Sequence, residues 1–137
     1  MDPCSFCDIA AGDRPAAFVL QTLSVTAFLD QAALFPGHTL VIPHSHVPTI
    51  EELHADLVEP YFSAVSRVAT AVRIATGAQG TFVAINNTVS QSVPHLHTHV
   101  VPRTKGDGLR GFFWPRTGYR DEVHQEEMRA AIAALLE

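Results

Sequence analysis

Short apolar runs of period two, punctuated by turn residues, dominate both ends of the first hundred positions, and one longer run of period three to four lies between them. Phe18-Val19-Leu20, Val25 to Leu29 and Thr39 to Ile42 read as strands, bounded by turn signals such as Pro36-Gly37. Thr49 followed three residues later by Glu52 predicts a capping box that opens a short helix through about Val58, and Pro60 suits the first turn of a second helix. In that second helix Phe62, Val65, Ala69, Val72 and Ala75 recur at steps of three and four, which predicts one buried stripe, and Gly77 ends it. Thr81 to Ile85 reads as a strand, residues 86–94 as a polar loop, and Leu96 to Val101 as a strand returning antiparallel. Asp121 is placed to cap a final helix whose first turn is acidic. This order predicts the α+β class.

Composition narrows the reading to one domain spanning residues 1–137, because 137 residues with 47% hydrophobic content supply one sizeable core and not two. The longest apolar stretches, Phe82 to Ile85 and Ala130 to Leu136, are far short of a membrane span. The acidic start Met1-Asp2 lacks the basic region of a signal peptide, so the expectation is a soluble cytoplasmic protein without a membrane partner. A net charge of −5 argues against a nucleic-acid polymer as partner, since such binding needs many cationic contacts to phosphate. Five of the nine basic residues, Arg103, Lys105, Arg110, Arg116 and Arg120, nevertheless follow one another closely. They form either an ordinary solvated loop or a local positive field for a small phosphorylated ligand.

The densest chemistry is His95-Leu96-His97-Thr98-His99-Val100-Val101. Alternation along a strand points the three imidazoles to one face and Leu96, Thr98 and Val100 to the other. Imidazole serves as nucleophile, proton carrier or metal ligand near neutrality, so a catalytic face, a metal site using all three rings, and a satisfied core are the alternatives. A histidine nucleophile can attack phosphorus through one ring nitrogen if the other is held by an acceptor that fixes the neutral tautomer. The loop before the run offers the neutral donors Asn86, Gln91 and Ser92, suited to charge that develops on phosphate oxygens and on a leaving group. Cys4-x-x-Cys7 could place two thiolates on one ion, and two imidazoles would complete the tetrahedral set that zinc prefers; two idle reduced thiols are the alternative.

These histidines, together with Cys4-Ser5-Phe6-Cys7, Ala11-Gly12, Phe28-Leu29-Asp30, Pro36 to Pro43, His46, Asn86, Gln91-Ser92-Val93 and Pro102-Arg103, resemble in order and spacing the histidine triad (HIT) superfamily of nucleotide hydrolases and transferases. The resemblance covers roughly residues 4–103, leaving a C-terminal loop and helix over 104–137. It implies a HIT-like fold, with an antiparallel sheet packed against one long helix, and a homodimer. It also implies a nucleotide as the small-molecule partner, a purine nucleoside phosphate first among them. By resemblance His97 is the nucleophile and His99 shares a proton with the phosphate or the leaving group. Ser92 and Gln91 approach the leaving group, Asn86 contacts an α-phosphate oxygen, Asp30 accepts from the ribose hydroxyls, and His38 stands behind the triad in the nucleotide site.

The resemblance further implies structural zinc on Cys4, Cys7, His46 and His95, with neighbouring His44 left out. The uridylyltransferase branch similar to this family has Gln at the His99 position, so a histidine there points to hydrolysis. Asn86-Asn87-Thr88-Val89-Ser90-Gln91 departs from the longer, glycine-containing loop of many members, which leaves Asn86 and Asn87 both open as the phosphate contact. The implied substrate is a nucleoside 5′-monophosphate carrying a leaving group, as in an adenosine phosphoramidate. A dinucleoside polyphosphate and a non-catalytic nucleotide-binding regulatory module are the alternatives. Gly111-Phe112-Phe113-Trp114-Pro115-Arg116 reads either as a hydrophobic loop packed on its own subunit or as part of a dimer interface beside the site.

Overall fold

The computed structural model describes residues 3–109 and 116–137, which form two compact units divided between Asp107 and Gly108. In the first unit the order is α1 (Ser5–Ala11), β1 (Phe18–Gln21), β2 (Val25–Leu29), β3 (Thr39–Pro43), a single 3₁₀ turn (Ile50–Glu52), α2 (Ala55–Thr76), β4 (Gly80–Ile85) and β5 (Thr98–Arg103). The strands make one antiparallel sheet in the order β1-β2-β3-β5-β4, so β5 lies inside the sheet between β3 and β4. This is the α+β architecture that the sequence predicts.

β2 and β3 are buried on both faces, and their alternation sorts side chains into two cores. Val25, Ala27 and Val41 face α2 and pack with Tyr61, Ala64, Val65, Val68 and Val72, joined by Leu96 and Val100. Phe28, Leu40 and Ile42 face the opposite way and pack with Phe6 and Ile9 of α1. The sheet is therefore a wall with α2 on one side and α1 on the other. The polar face of the histidine run belongs to the α1 side, where Phe6 lies edge-on to His97 and His95 with ring centroids 5.1 and 6.0 Å apart.

The helical region differs from the sequence pattern. Thr49 makes no side-chain cap bond, and the predicted short helix is only the 3₁₀ turn, ended where buried Leu53 returns to extended backbone. α2 starts at Ala55 with His54 as its cap, whose Nδ1 accepts from the Asp56 amide at 3.1 Å. Pro60 consequently lies inside one long helix and not in the first turn of a second. The stripe is also shifted, with Tyr61 fully buried where Phe62 was expected and Ala75 exposed. Tyr61 can enter the core because its hydroxyl finds partners there, so a pattern that scores only apolar residues passes over it. The regular strand begins at Thr98 and not at Leu96. α1, which periodicity did not mark, is seven residues long, with the Cys4 sulfur accepting from the Cys7 amide at 3.4 Å. Gly37 has φ +99°, and a Cβ there would meet Thr76 Cγ2 at 2.6 Å, so the turn into β3 needs glycine.

The second unit contains α3 (Glu122–Leu135), capped as the sequence predicts by Asp121, whose carboxylate accepts from the His124 amide at 2.8 Å. The segment 110–115, which holds Phe112, Phe113 and Trp114 and so the whole aromatic run, lies outside the described residues. Among the described residues no helix is long and apolar enough to cross a membrane.

Candidate active site and metal centre

β5 and the irregular segment before it bring the triad onto the α1 face of the sheet. His97 is buried, and its Nδ1 lies 2.7 Å from the backbone carbonyl of His95. A carbonyl only accepts, so Nδ1 carries the proton and Nε2 keeps its lone pair. His99 Nδ1 lies 3.0 Å from Nε2 of His38. The other nitrogen of His38 accepts from the Leu34 amide at 3.1 Å, which puts the His38 proton on Nε2, the atom that faces His99. His99 Nδ1 is then the acceptor, and its proton resides on Nε2.

Burial holds His99 well down, to about 4, with the neighbouring His97 and His38 rings acting in the same direction and Asp30 opposing them. Burial also lowers His38 below the ordinary imidazole range, against the pull of Asp30 Oδ2 at 3.5 Å. Both rings are therefore neutral near pH 7, and the Asp30–His38 contact is one of a carboxylate with a neutral imidazole.

His97 and His99 open into a cleft of about 450 Å³. Phe6, Ile9, Phe28 and Leu40 form its apolar wall, while Asp30, Ser92, Ser5, Gln31 and Arg14 provide polar groups. The volume falls in the range of small-molecule sites. A larger hollow of about 730 Å³ between α2 and the β1–β2 strands is lined by Val19, Leu29, Val68 and Val72 among others, and it holds no histidine.

Of the residues expected from sequence, His97, His99, Ser92 and Asp30 meet at this cleft, with His38 buried behind His99. Asn86 and Gln91 do not line it. Gln91 braces its own loop, donating to the Pro48 carbonyl at 2.6 Å and accepting from the Thr88 amide at 3.1 Å. Asn87 Oδ1 accepts from the Ile50 amide at 2.9 Å and is committed to the 3₁₀ turn, whereas Asn86 is exposed. Of the basic cluster, Arg103 is held by the Asp107 carboxylate through two bonds of 2.7 and 3.1 Å, and Lys105 is exposed.

Sequence patterns gave no role to Phe6, Ile9, Leu40 or Arg14. Phe6 was marked only by standing between two cysteines and Leu40 only as part of a strand, because the wall is assembled from α1, β2 and β3, which no local period connects.

Cys4, Cys7, His46 and His95 form a second cluster, with all four donor atoms within 4.8 Å of one another. His46 Nδ1 lies 3.2 Å from Cys7 Sγ, and His95 Nδ1 lies 3.4 Å from Cys4 Sγ, 3.5 Å from Cys7 Sγ and 3.3 Å from His46 Nδ1. Tetrahedral zinc with ordinary bond lengths puts neighbouring nitrogens about 3.3 Å apart and a nitrogen and a sulfur about 3.6 Å apart. The donor set therefore fits such an ion. His95 Nε2 donates to the Pro43 carbonyl at 2.9 Å, which leaves Nδ1 unprotonated toward the cysteines. His44 is turned away, with Nε2 2.7 Å from the Thr26 hydroxyl. The first triad histidine thus belongs to this cluster, and the other two face the cleft.

The model of the HIT domain matches residues 11–106. Among curated relatives, Protein hit of Bacillus subtilis is 40% identical over 129 residues, which cover 92% of this chain and 87% of that protein. An adenosine 5′-monophosphoramidase of Schizosaccharomyces pombe is 33% identical over 114 residues, 82% of this chain and 83% of that one. A bis(5′-nucleosyl)-tetraphosphatase of the same yeast is 34% identical over 83 residues, 59% of this chain and 46% of that one. The crystal structure of a Streptococcus mutans protein superposes with a TM-score of 0.90 at 34% identity, covering 100% of this chain and 87% of that chain. A zinc-bound histidine triad family protein from Mycobacterium smegmatis superposes with a TM-score of 0.73 at 36% identity, covering 96% and 94%. With its triad on the inner strand of this sheet and the segment that leads into it, the chain belongs to the HIT domain family.

Proposed function

We propose that this protein is a nucleotide hydrolase that displaces a leaving group from the α-phosphate of a nucleoside 5′-monophosphate conjugate, with an adenosine phosphoramidate as the model substrate. The observation that carries the reading is the His95 carbonyl 2.7 Å from His97 Nδ1, because it frees Nε2 as a nucleophile beside a cleft of nucleotide size. Nε2 attacks phosphorus, a nitrogen–phosphorus bond forms and the bond to the leaving group breaks. The amine leaves with a proton drawn from solvent; water then attacks phosphorus, the nitrogen–phosphorus bond to His97 breaks, and the hydroxyl stays on phosphorus while the released proton returns to solvent and replaces the one the amine took. His99 Nε2–H donates toward the charge that develops in both steps.

The site reading assigns Ser92 and Gln91 to the leaving group, Asn86 to the α-phosphate and Asp30 to the ribose, with His38 holding His99. Gln91 enters this role only if its loop opens, since its amide is bonded to Pro48 and Thr88. Zinc on Cys4, Cys7, His46 and His95 would brace α1 against the strand and leave no position for substrate. The reading also includes a cytoplasmic homodimer.

The named activity of the phosphoramidase relative supports this substrate class, and that of the tetraphosphatase relative, which matches less of this chain, supports dinucleoside polyphosphates as the alternative. A turnover screen of adenosine phosphoramidates against dinucleoside polyphosphates with zinc-replete protein is the test. Faster phosphoramidate cleavage is expected; tight nucleotide binding without cleavage of either class would leave only a binding module.

A further inference from the structure

Tyr61 is fully buried on α2, on the side of the sheet away from the cleft, yet its hydroxyl reaches the strand that carries the chemistry. It donates to the Val41 carbonyl at 2.8 Å and lies 2.6 Å from the Thr98 hydroxyl. A phenol has one proton, and the carbonyl takes it, so the Thr98 hydroxyl donates back to the Tyr61 oxygen. Thr98 is the first residue of β5 and the last partner of β3 in their ladder, opposite Val41. The same hydroxyl therefore joins α2 to both strands where their regular pairing ends.

His97 lies just outside that pairing. The backbone before it is irregular, and its nearest anchor is the Leu96 amide, which donates to the Val47 carbonyl at 2.7 Å. His97 thus sits between two fixed points, Leu96 on Val47 and Thr98 on Tyr61. Its ring bonds to the His95 carbonyl, two residues back in the irregular segment, at 2.7 Å. His99, on the other side of Thr98, reaches His38 at 3.0 Å from the same backbone.

We propose that Tyr61 is a positioning residue for the reaction, acting through Thr98 to hold His97 and His99 in line although it touches neither the cleft nor a nucleotide. The inference rests on the hydrolase reading of the site for its kinetic consequence, and on geometry alone for its effect on the His97 ring.

The test uses full-length, zinc-replete Tyr61→Phe, Thr98→Val and the double variant. Thr98→Val keeps the Tyr61–Val41 bond and the branched shape, so it covers the case in which Tyr61→Phe folds poorly. Per folded molecule, each single variant should lower kcat about tenfold with KM within about twofold, and the double variant should fall little further because both remove one link. Thr98→Ser, which retains the hydroxyl, should restore kcat. Nitrogen-15 spectra of the His97 ring should change from one tautomer to a mixture in the two damaging variants. Wild-type kcat and a single His97 tautomer in both, whatever their thermal stability, would overturn the proposal and leave Tyr61 a core residue. A wild-type protein that cleaves no nucleotide would instead sink the hydrolase reading, and the ring spectra would still decide the role of Tyr61.

Discussion

His38 Nε2 lies 3.0 Å from His99 Nδ1, and the Leu34 amide occupies the other nitrogen of His38. A backbone amide thereby fixes two imidazoles in series, so the proton that His99 presents to the cleft is set by the turn before β3 and not by solvent. His38→Gln, whose side-chain amide reaches the position of Nε2, keeps a donor toward His99 and should retain part of the turnover. His38→Ala leaves His99 free to change tautomer and should lower kcat about a hundredfold with a smaller effect on nucleotide affinity. Steady-state rates beside equilibrium binding of a nucleoside monophosphate check it.

His97→Ala should reduce turnover by about a thousandfold or more while nucleotide binding and the folding transition stay near wild type, since the proposed mechanism makes this ring the nucleophile and leaves binding to the apolar wall and the polar groups around it. Initial rates on a phosphoramidate, with calorimetric binding on the same preparation, decide it. A variant that turns over at the native rate removes the covalent mechanism. His97→Gly should regain measurable activity with free imidazole.

Acid should weaken the folded state through the buried histidines. His99 is held to about 4 in the folded chain against 6.5 when free, and His38 is shifted in the same direction. Between those pH values the unfolded chain binds more protons, so the stabilisation is complete above about pH 6.5 and is lost as pH falls toward 4. Denaturation midpoints of zinc-saturated protein should drop over that window, and His99→Gln should lose less than wild type over the same interval. Equal losses would show that His99 does not titrate with folding.

The alternation of His95 to Val100, the strands β2 and β3, and the Asp121 cap were legible because each is local: a period of two, a bounded apolar run, a side chain three residues from the amide it accepts. The start of α2 was not. Thr49 and Glu52 satisfy the pattern of a capping box, but burying Leu53 breaks the turn, and that is a tertiary event. The same holds for the site. Spacing singled out the triad and the cysteine pair, whereas the carbonyls of His95 and Pro43 that set two ring tautomers are backbone atoms without a sequence signature. Two adjacent asparagines were equivalent in sequence, and only the Ile50 amide on Asn87 distinguishes them.

Purified protein should contain one zinc per chain, bound by Cys4, Cys7, His46 and His95. Cys4→Ser should lower Tm by roughly 10 °C through loss of a structural ion, with less effect on kcat per folded molecule. Elemental analysis and thermal melts with and without a chelator test this directly. Protein refolded in excess zinc and still free of it would remove the centre.

The loop that leads into the triad contains no glycine, yet Thr88 and Ser90 adopt φ values of 69° and 61°. That left-handed backbone costs an ordinary residue about 1–2 kcal/mol, and a β-branched residue such as Thr88 is the less suited of the two. What holds Thr88 there is the Gln91 side chain, which accepts from its amide and donates to Pro48. Thr88→Gly should relieve more strain than it adds in unfolded-chain entropy, raising Tm by about 2 °C. Gln91→Ala should act in reverse, releasing the strained turn, lowering Tm and loosening Ser92 one residue on. If the loop is held shut by Gln91, the Gln91→Ala variant should also accept bulkier leaving groups relative to wild type. Melting curves and a ranked series of leaving groups on both variants test the two halves separately, and a lower Tm for Thr88→Gly would show that the threonine is at home in its turn.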